Sequence, residues 1–387
     1  MTISFIIAVY NNPKYLLFAV QSITKQIRST DIEIYIVDDG STDNTPTIAD
    51  EIAASDDRVK VIHQENQWIY ASFNNGIMAA KGEYIYILNS DDKLVDGAVQ
   101  LLLDSIEKYD HPDVIWTKVI WQDVDENQNV LSEYDMNETI TCDEYISSSE
   151  LVHRRWLDVL TSGVAVNQAN LYKRELALKH PFRNDYYAGD SFFNIGIADD
   201  INSMVFLGSP IYCYLAYRNE QMNASIGKYY GYEHKMFNEL TSLELFVYEK
   251  WNMRDFFIEN VVLRRLKEMT YEMEIMEFNN CDISCSGKVK RIFDTIADSF
   301  IRDLSKEVGR EREYESRLLT GARRLIRNLD IEVNSIPEFV QILIGYLPED
   351  YLQNVDRSII DNAKLFSAIN DMKNLDGVGR IYYFEDW

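Results

Sequence analysis

At 387 residues the chain is longer than one ordinary core requires, and its 46% hydrophobic content with seven Pro and sixteen Gly excludes a disordered or low-complexity protein. A formal net charge of −25 sets up a field that repels nucleic acid and anionic lipid headgroups, so nucleic acid is not an expected partner. An anionic ligand would enter such a field only with a cation to screen the carboxylates that meet it.

Ile3 to Val9 is a nearly continuous apolar run, followed by the turn residues Asn11-Asn12-Pro13 and a helical pattern through Ile27. Ile32 to Val37 repeats the strand and ends at Asp38-Asp39-Gly40-Ser41 before another helical stretch. Val59 to His63 is a third strand, Asn74 to Ala80 a helix, and Tyr84 to Leu88 a fourth strand ending at Asn89-Ser90-Asp91-Asp92. Val114 to Trp121 reads as a further strand and Ser162 to Tyr172 as a buried segment. Strands buried on both faces and alternating with helices predict a doubly wound, mostly parallel α/β sheet. Beyond about residue 220 the pattern turns helical over Tyr232 to Trp251, Asp255 to Phe278, Lys288 to Val308 and Glu311 to Leu329, with Pro337 and Pro348 suited to first turns of shorter helices. The expected division is therefore 1–220 for the sheet and 221–387 for a helical appendage, whose apolar faces either pack internally or join copies of the chain.

Ligand crevices in such sheets lie beyond the carboxyl ends of the strands, so Tyr10-Asn11, Asp38-Asp39 and Asp91-Asp92 are expected around one site. Asp38-Asp39-Gly40 alone is a common turn. A second acidic pair ending another strand changes the balance, because adjacent carboxylates suit a hard divalent ion that holds a diphosphate. The other residue types offer less. His63, His111, His153, His180 and His234 lack metal-ligand spacing and read as surface or strand-end residues. Cys142, Cys213, Cys281 and Cys285 lack the paired spacing of a zinc site and read as reduced thiols. No run reaches the roughly 20 apolar residues of a membrane span, and Met1 to Tyr10 has no signal-peptide pattern, so a cytoplasmic protein is expected, with peripheral attachment to a membrane left open.

The segments Ser4-Phe-Ile-Ile-Ala-Val-Tyr-Asn-Asn12, Ile36-Val-Asp-Asp-Gly-Ser-Thr-Asp-Asn-Thr45 and Lys81-Gly-Glu-Tyr-Ile-Tyr-Ile-Leu-Asn-Ser-Asp-Asp92 resemble the three N-terminal signatures of family 2 glycosyltransferases of the GT-A fold. Between them, Trp68-Ile-Tyr-Ala-Ser-Phe-Asn-Asn-Gly-Ile77 is similar to a family variant reading Gly-Ile-Tyr-Asp-Ala-Met-Asn-Lys-Gly-Ile, with Trp68 and Ala71 standing where that variant has Gly and Asp. The resemblance is strong to about residue 100, moderate to about 200 and absent after. It implies that Ala8 and Tyr10 border the nucleoside of a UDP-sugar, that Asp39 holds base or ribose, that Asp91 lies at ribose and diphosphate, and that Asp92 binds Mn2+ or Mg2+.

Inverting transfer also needs a base for the acceptor hydroxyl. Tyr187-Ala-Gly-Asp-Ser-Phe-Phe193, preceded by Asn167-Gln168-Ala169, resembles the family's acidic motif and puts Asp190 in that role, at a helix start that would favour its ionised form. Taken bare, the same Gly-Asp is a common helix cap. The implied activity is inverting, metal-dependent transfer of one sugar from a nucleotide diphosphate-sugar to a saccharide, lipid-linked or protein-linked acceptor. The alternatives are a catalytically silent GT-A binding or scaffolding module, and a nucleotidyltransferase, which the absence of a Gly-rich N-terminal loop disfavours. Arg154-Arg155-Trp156 is superficially similar to the Gln-x-x-Arg-Trp of processive polysaccharide synthases, but it precedes the acidic motif instead of following it and the Gln is absent, which disfavours a processive synthase.

Overall fold

A computed structural model describes residues 2–27, 30–125, 128–136, 140–161, 168–217 and 228–277, with most of 281–318. The chain divides into two compact units, Met1–Ala224 and Ser225–Trp387.

The first unit is built on a sheet that, among the described residues, has ten strands. The strands β1 (Ile3–Val9) and β2 (Ile32–Asp38) are buried along their whole length, as an interior strand covered on both faces must be. Their parallel register sets Val9 opposite Asp38, so the segments starting at Tyr10 and Asp39 leave the sheet side by side. Strand β3 (Val59–His63) pairs with β2, and β4 (Tyr84–Ile87) with β1, both in parallel. The helices between them are α1 (Leu16–Thr24), α2 (Thr45–Ser55) and α3 (Ile69–Ala79). Leu16, Ala19, Val20 and Ile23 of α1 bury against Ile3, Phe5 and Ile7, the helical and strand periods meeting in one core.

Beyond β4 the sheet becomes mixed. After β5 (Lys93–Leu94) and α4 (Ala98–Lys108) come the long β6 (Val114–Val124), β7 (Val130–Asp135), β8 (Glu144–Ile146), α5 (Ser149–Thr161) and β9 (Leu171–Lys173). Strand β9 lies antiparallel between β4 and β6, so the expected buried segment contributes a short strand at its end, while 162–167 fall outside the described residues. Then follow α6 (Arg174–Lys179), α7 (Gly189–Ile197) and β10 (Met204–Tyr217). Strand β10 runs parallel to β6, with register shifts around Pro210, which has no N–H to give the ladder, and antiparallel to β5 and β8. The parallel arrangement thus holds where helices make the crossovers, and the antiparallel pairs lie in the later half of the unit.

The second unit contains α8 (Glu233–Lys250) and α9 (Arg254–Glu274), joined by a tight turn in which Asn252 adopts φ 55°. Their facing residues Met236, Leu240, Tyr248, Phe257, Val261, Leu266 and Met269 are buried. Helix α10 (Ser299–Glu307) is capped by Asp298, whose carboxylate accepts the Phe300 N–H at 2.9 Å. His234, expected at the surface, instead lies among charges: its Nδ1 is 2.8 Å from Glu272 Oε2 and its Nε2 2.8 Å from Asp298 Oδ2. Burial opposes its protonation, but the two carboxylates outweigh it and lift its pKa to about 9. Pro337, Pro348 and the expected helices past 318 lie outside the described residues. Among the described residues no helix is long and apolar enough to cross a membrane.

Candidate active site

The loops leaving β1, β2 and β4 are tied to one another by short polar side chains. Asn11, at φ 48°, accepts the Thr42 N–H on Oδ1 at 2.8 Å and gives its own N–H to Ser41 Oγ at 2.9 Å. Asn12 Nδ2 donates to Ser90 Oγ at 3.1 Å, joining the first loop to the acidic one. Gly40, at φ 73°, brings the second loop so close to the next that a Cβ would lie 2.7 Å from Asn66 N. Tyr10, which follows this first strand, is 50% exposed, whereas Ala8 is buried within the strand.

The two carboxylates of Asp38-Asp39 have different tasks. Asp38 Oδ2 is 2.8 Å from His63 Nδ1, and its Oδ1 accepts the Ser41 N–H at 3.1 Å. His63 is held above its ordinary pKa, first by that bond to Asp38 and then, against burial, by Asp50. Asp39 Oδ1 accepts from Gln64 Nε2 at 2.7 Å and from the Gln67 N–H at 2.8 Å. Among the described residues nothing donates to Asp39 Oδ2, which leaves one oxygen for a ligand.

Asp92 is 3% exposed and both its oxygens are occupied. Oδ1 accepts the Leu215 N–H at 2.8 Å, and Oδ2 accepts from Asn89 Nδ2 at 2.9 Å and from the Tyr212 hydroxyl. Asp92, expected to bind the metal, also clamps the acidic loop to β10. No donor from another described residue reaches the Asp91 carboxylate. Burial pushes both carboxyls above the usual range, and for Asp92 the neighbouring Asp91 charge adds to it. Among the described residues no cationic side chain offsets either one. A divalent ion fits this imbalance, since such ions commonly take one or two protein carboxylates and complete their shell with phosphate oxygens and water. Among the described residues there is no cluster of three or more His, Cys, Asp or Glu that would supply a complete protein cage.

Asp190 lies in the first turn of α7, where its Oδ1 accepts the Ser191 N–H at 2.8 Å. Gly189 allows this start to press on α3: a Cβ there would sit 2.7 Å from the Tyr70 ring. Tyr70 donates its hydroxyl to Tyr187 O at 2.8 Å and places it 3.4 Å from Asp190 Oδ1. The helix start was expected to favour the ionised carboxylate, but burial wins over the N–H and hydroxyl donors and raises the Asp190 pKa. A raised carboxylate is a better proton acceptor. The preceding Asn167 lies outside the described residues, while Gln168 Nε2 reaches Asn89 Oδ1 at 3.4 Å.

Gln67 joins the two halves of the site. Its N–H goes to Asp39, and its carbonyl accepts from Asn184 Nδ2 at 2.7 Å, in the segment leading to Asp190. Trp68 follows at φ 74°, ψ 162°, a region that is almost exclusive to Gly and strained by about 1–3 kcal/mol for other residues. Sequence reasoning missed Tyr212, Leu215, Gln64 and Gln67. Tyr70 stood within a recognised segment, but only its contact with the Asp190 turn marks it.

The profile of the family described as glycosyl transferase family 2 matches residues 4–174. The glycosyltransferase GlyG of Streptococcus pneumoniae serotype 4 is 33% identical over 215 residues, 55% of this chain and 70% of that protein. The chain belongs to glycosyltransferase family 2. This family 2 glycosyltransferase is also 30% identical over 220 residues to the putative glycosyltransferase EpsH of Bacillus subtilis, over 55% of the chain and 60% of EpsH. Its fold is similar to that of S. aureus TarS residues 1–349 in complex with UDP-GlcNAc, with TM-score 0.55 and 18% identity over 84% of this chain and 90% of that one. The family and the fold agree with the GT-A-like α/β class expected from the strand-end motifs.

Proposed function

We propose that this glycosyltransferase moves a single sugar from a nucleotide diphosphate-sugar, UDP being the favoured nucleotide, to a hydroxyl of a saccharide, lipid-linked or protein-linked acceptor, with inversion and with Mn2+ or Mg2+ at the acidic pair. The observation that carries this is the Asp91 carboxylate, half-buried beside Asp92 at the end of a strand, with no cationic partner among the described residues. The metal, which the sequence resemblance gave to Asp92, we assign to Asp91, because both Asp92 oxygens already accept protein hydrogen bonds. A divalent ion there would neutralise charge on the leaving diphosphate.

The remaining roles follow from this chain's own groups. Asp39, steadied on one oxygen by Gln64 and Gln67, accepts with the other from base or ribose. The exposed ring of Tyr10 borders the base, with Ala8 beneath. Asp190 takes the proton of the acceptor hydroxyl as that oxygen bonds to the anomeric carbon and the bond to the diphosphate breaks, the proton remaining on Asp190 and UDP departing. The UDP-GlcNAc bound by TarS supports a UDP-sugar donor on a similar fold.

The test uses the purified full chain with a panel of UDP-sugars and measures UDP release in manganese, magnesium or chelator. Metal-dependent release with at least one sugar is expected. Equal release or UDP binding in chelator overturns the metal assignment, and metal-dependent UDP binding with no turnover on any sugar or acceptor favours a silent binding module.

A further inference from the structure

We propose that the indole of Trp68 is a stacking surface for a pyranose ring of the substrates, an inference that rests on the nucleotide-sugar reading above. Three observations converge on it. Trp68 occupies a backbone conformation that Gly would adopt without strain, and stands where the resembling family variant has Gly. Its side chain does not repay that strain inside the folded chain: the indole is 63% exposed, and no ring stacking or hydrogen bond of the indole is found among the described residues. Residues held in such conformations cluster at active sites and ligand clamps.

The position is also fixed from both sides. The residue before it gives its N–H to Asp39, the proposed nucleoside contact, and its C=O accepts from the amide of Asn184, six residues before the proposed base. The Trp68 carbonyl itself accepts the Ser72 N–H at 3.2 Å, and Tyr70, two residues on, reaches the Asp190 turn. The Trp68 backbone is thus anchored through Gln67 to the loop of the group that takes the nucleoside and to the segment that leads to the group that takes the proton, the two groups between which the transferred sugar and the acceptor sugar must meet.

The chemistry of the site lacks what an indole supplies. Asp39, Asp91 and Asp190 recognise hydroxyls, phosphates and a metal, but none offers a surface to the apolar C–H face of a pyranose. A large, flat, rigid ring with two rotatable bonds does so at small conformational cost.

Calorimetry in manganese tests this with UDP, UDP-glucose and UDP-N-acetylglucosamine as probes, and saturation-transfer NMR adds free mono- and disaccharides. The native chain is compared with Trp68→Phe, Trp68→Ala and Trp68→Gly. UDP affinity should stay within about twofold, while pyranose binding falls by about 5- to 10-fold in the Ala and Gly variants and less in Phe. Loss on the UDP-sugars identifies the donor ring, and loss on free saccharides alone identifies the acceptor ring; either supports the proposal. Trp68→Gly should keep its Tm or raise it by about 2–4 °C, since it relieves strain. The proposal is overturned if no pyranose-bearing probe responds to residue 68, if UDP itself is weakened as much, or if Trp68→Gly lowers the Tm. A native chain that binds no UDP in manganese instead defeats the nucleotide-sugar reading on which the proposal stands.

Discussion

The hydroxyl of Tyr70 lies 3.4 Å from Oδ1 of Asp190 while donating to the carbonyl of Tyr187 at 2.8 Å, so one phenol on α3 fixes both the carboxylate and the turn that carries it. That hydroxyl favours the ionised Asp190 and opposes the larger effect of burial. Its removal in Tyr70→Phe therefore raises the Asp190 pKa further. The base must be ionised to act, so the acid limb of the kcat profile should move to higher pH in the variant. An unmoved acid limb would separate Tyr70 from the base.

Asp190→Asn retains shape and hydrogen bonding but cannot take the proton. Turnover should fall by roughly 10²- to 10⁴-fold with UDP affinity and Tm unchanged. A role confined to accepting the Ser191 N–H in the first turn predicts near-normal turnover, because the Asn side-chain oxygen accepts the same bond. Steady-state kinetics with a donor and acceptor that the native chain uses decides between them.

The two members of the acidic pair should fail in different ways. Asp91→Ala removes no bond to another described residue and relieves the repulsion on Asp92, so the Tm should hold or rise while metal-dependent UDP binding is lost. Asp92→Ala leaves the Leu215 N–H, the Tyr212 hydroxyl and the Asn89 amide without their acceptor. Net destabilisation of about 1–3 kcal/mol is expected, the relieved charge offsetting part of the orphaned donors. Equal losses of stability in both variants, measured by thermal unfolding, would reject the division of labour.

In the helical unit, protonated His234 bridges Glu272 and Asp298, with Arg265 also salt-bridged to Glu272 at 2.7 Å. The folded pKa of about 9 lies above the ordinary 6.5, so this contribution is complete below about pH 6.5 and disappears as pH rises through 9. Asp298 works in the opposite direction: His234 pulls it from 3.8 to about 2, so its contribution is present above 3.8 and is lost as pH falls through 2. Unfolding midpoints should decline between pH 7 and 9 in the native chain and stay flat there in His234→Gln. An identical slope in both would place the alkaline loss elsewhere.

The parallel half of the sheet was legible because β1, β2 and β4 are nearly continuous apolar runs followed by Asn and Asp. Asp39 and Asp190 could be singled out for the same local reason, their motifs being contiguous. The Asp92 clamp was not legible, since its partners Tyr212 and Leu215 belong to a strand whose sequence carries no polar signal and which contributes a backbone N–H and a phenol. Trp68 was visible as a departure from pattern, but its backbone conformation depends on Asp39 and Asn184 holding Gln67 from opposite sides. His234 escaped because its partners sit 38 and 64 positions away on other segments.

The clamp between Asp92 and Leu215 spans 123 positions of chain, which gives the acidic loop a place in time as well as in space. During synthesis the first four strands can pair as soon as they emerge, at roughly 5–20 residues per second. Asp92 must then wait, its carboxylate still hydrated, until β10 has left the ribosome. A nascent chain cut short before Leu215 should carry the first strands and the Asp39 loop while lacking the mould that sets Asp91, so the proposed competence for metal and diphosphate would arrive only with β10.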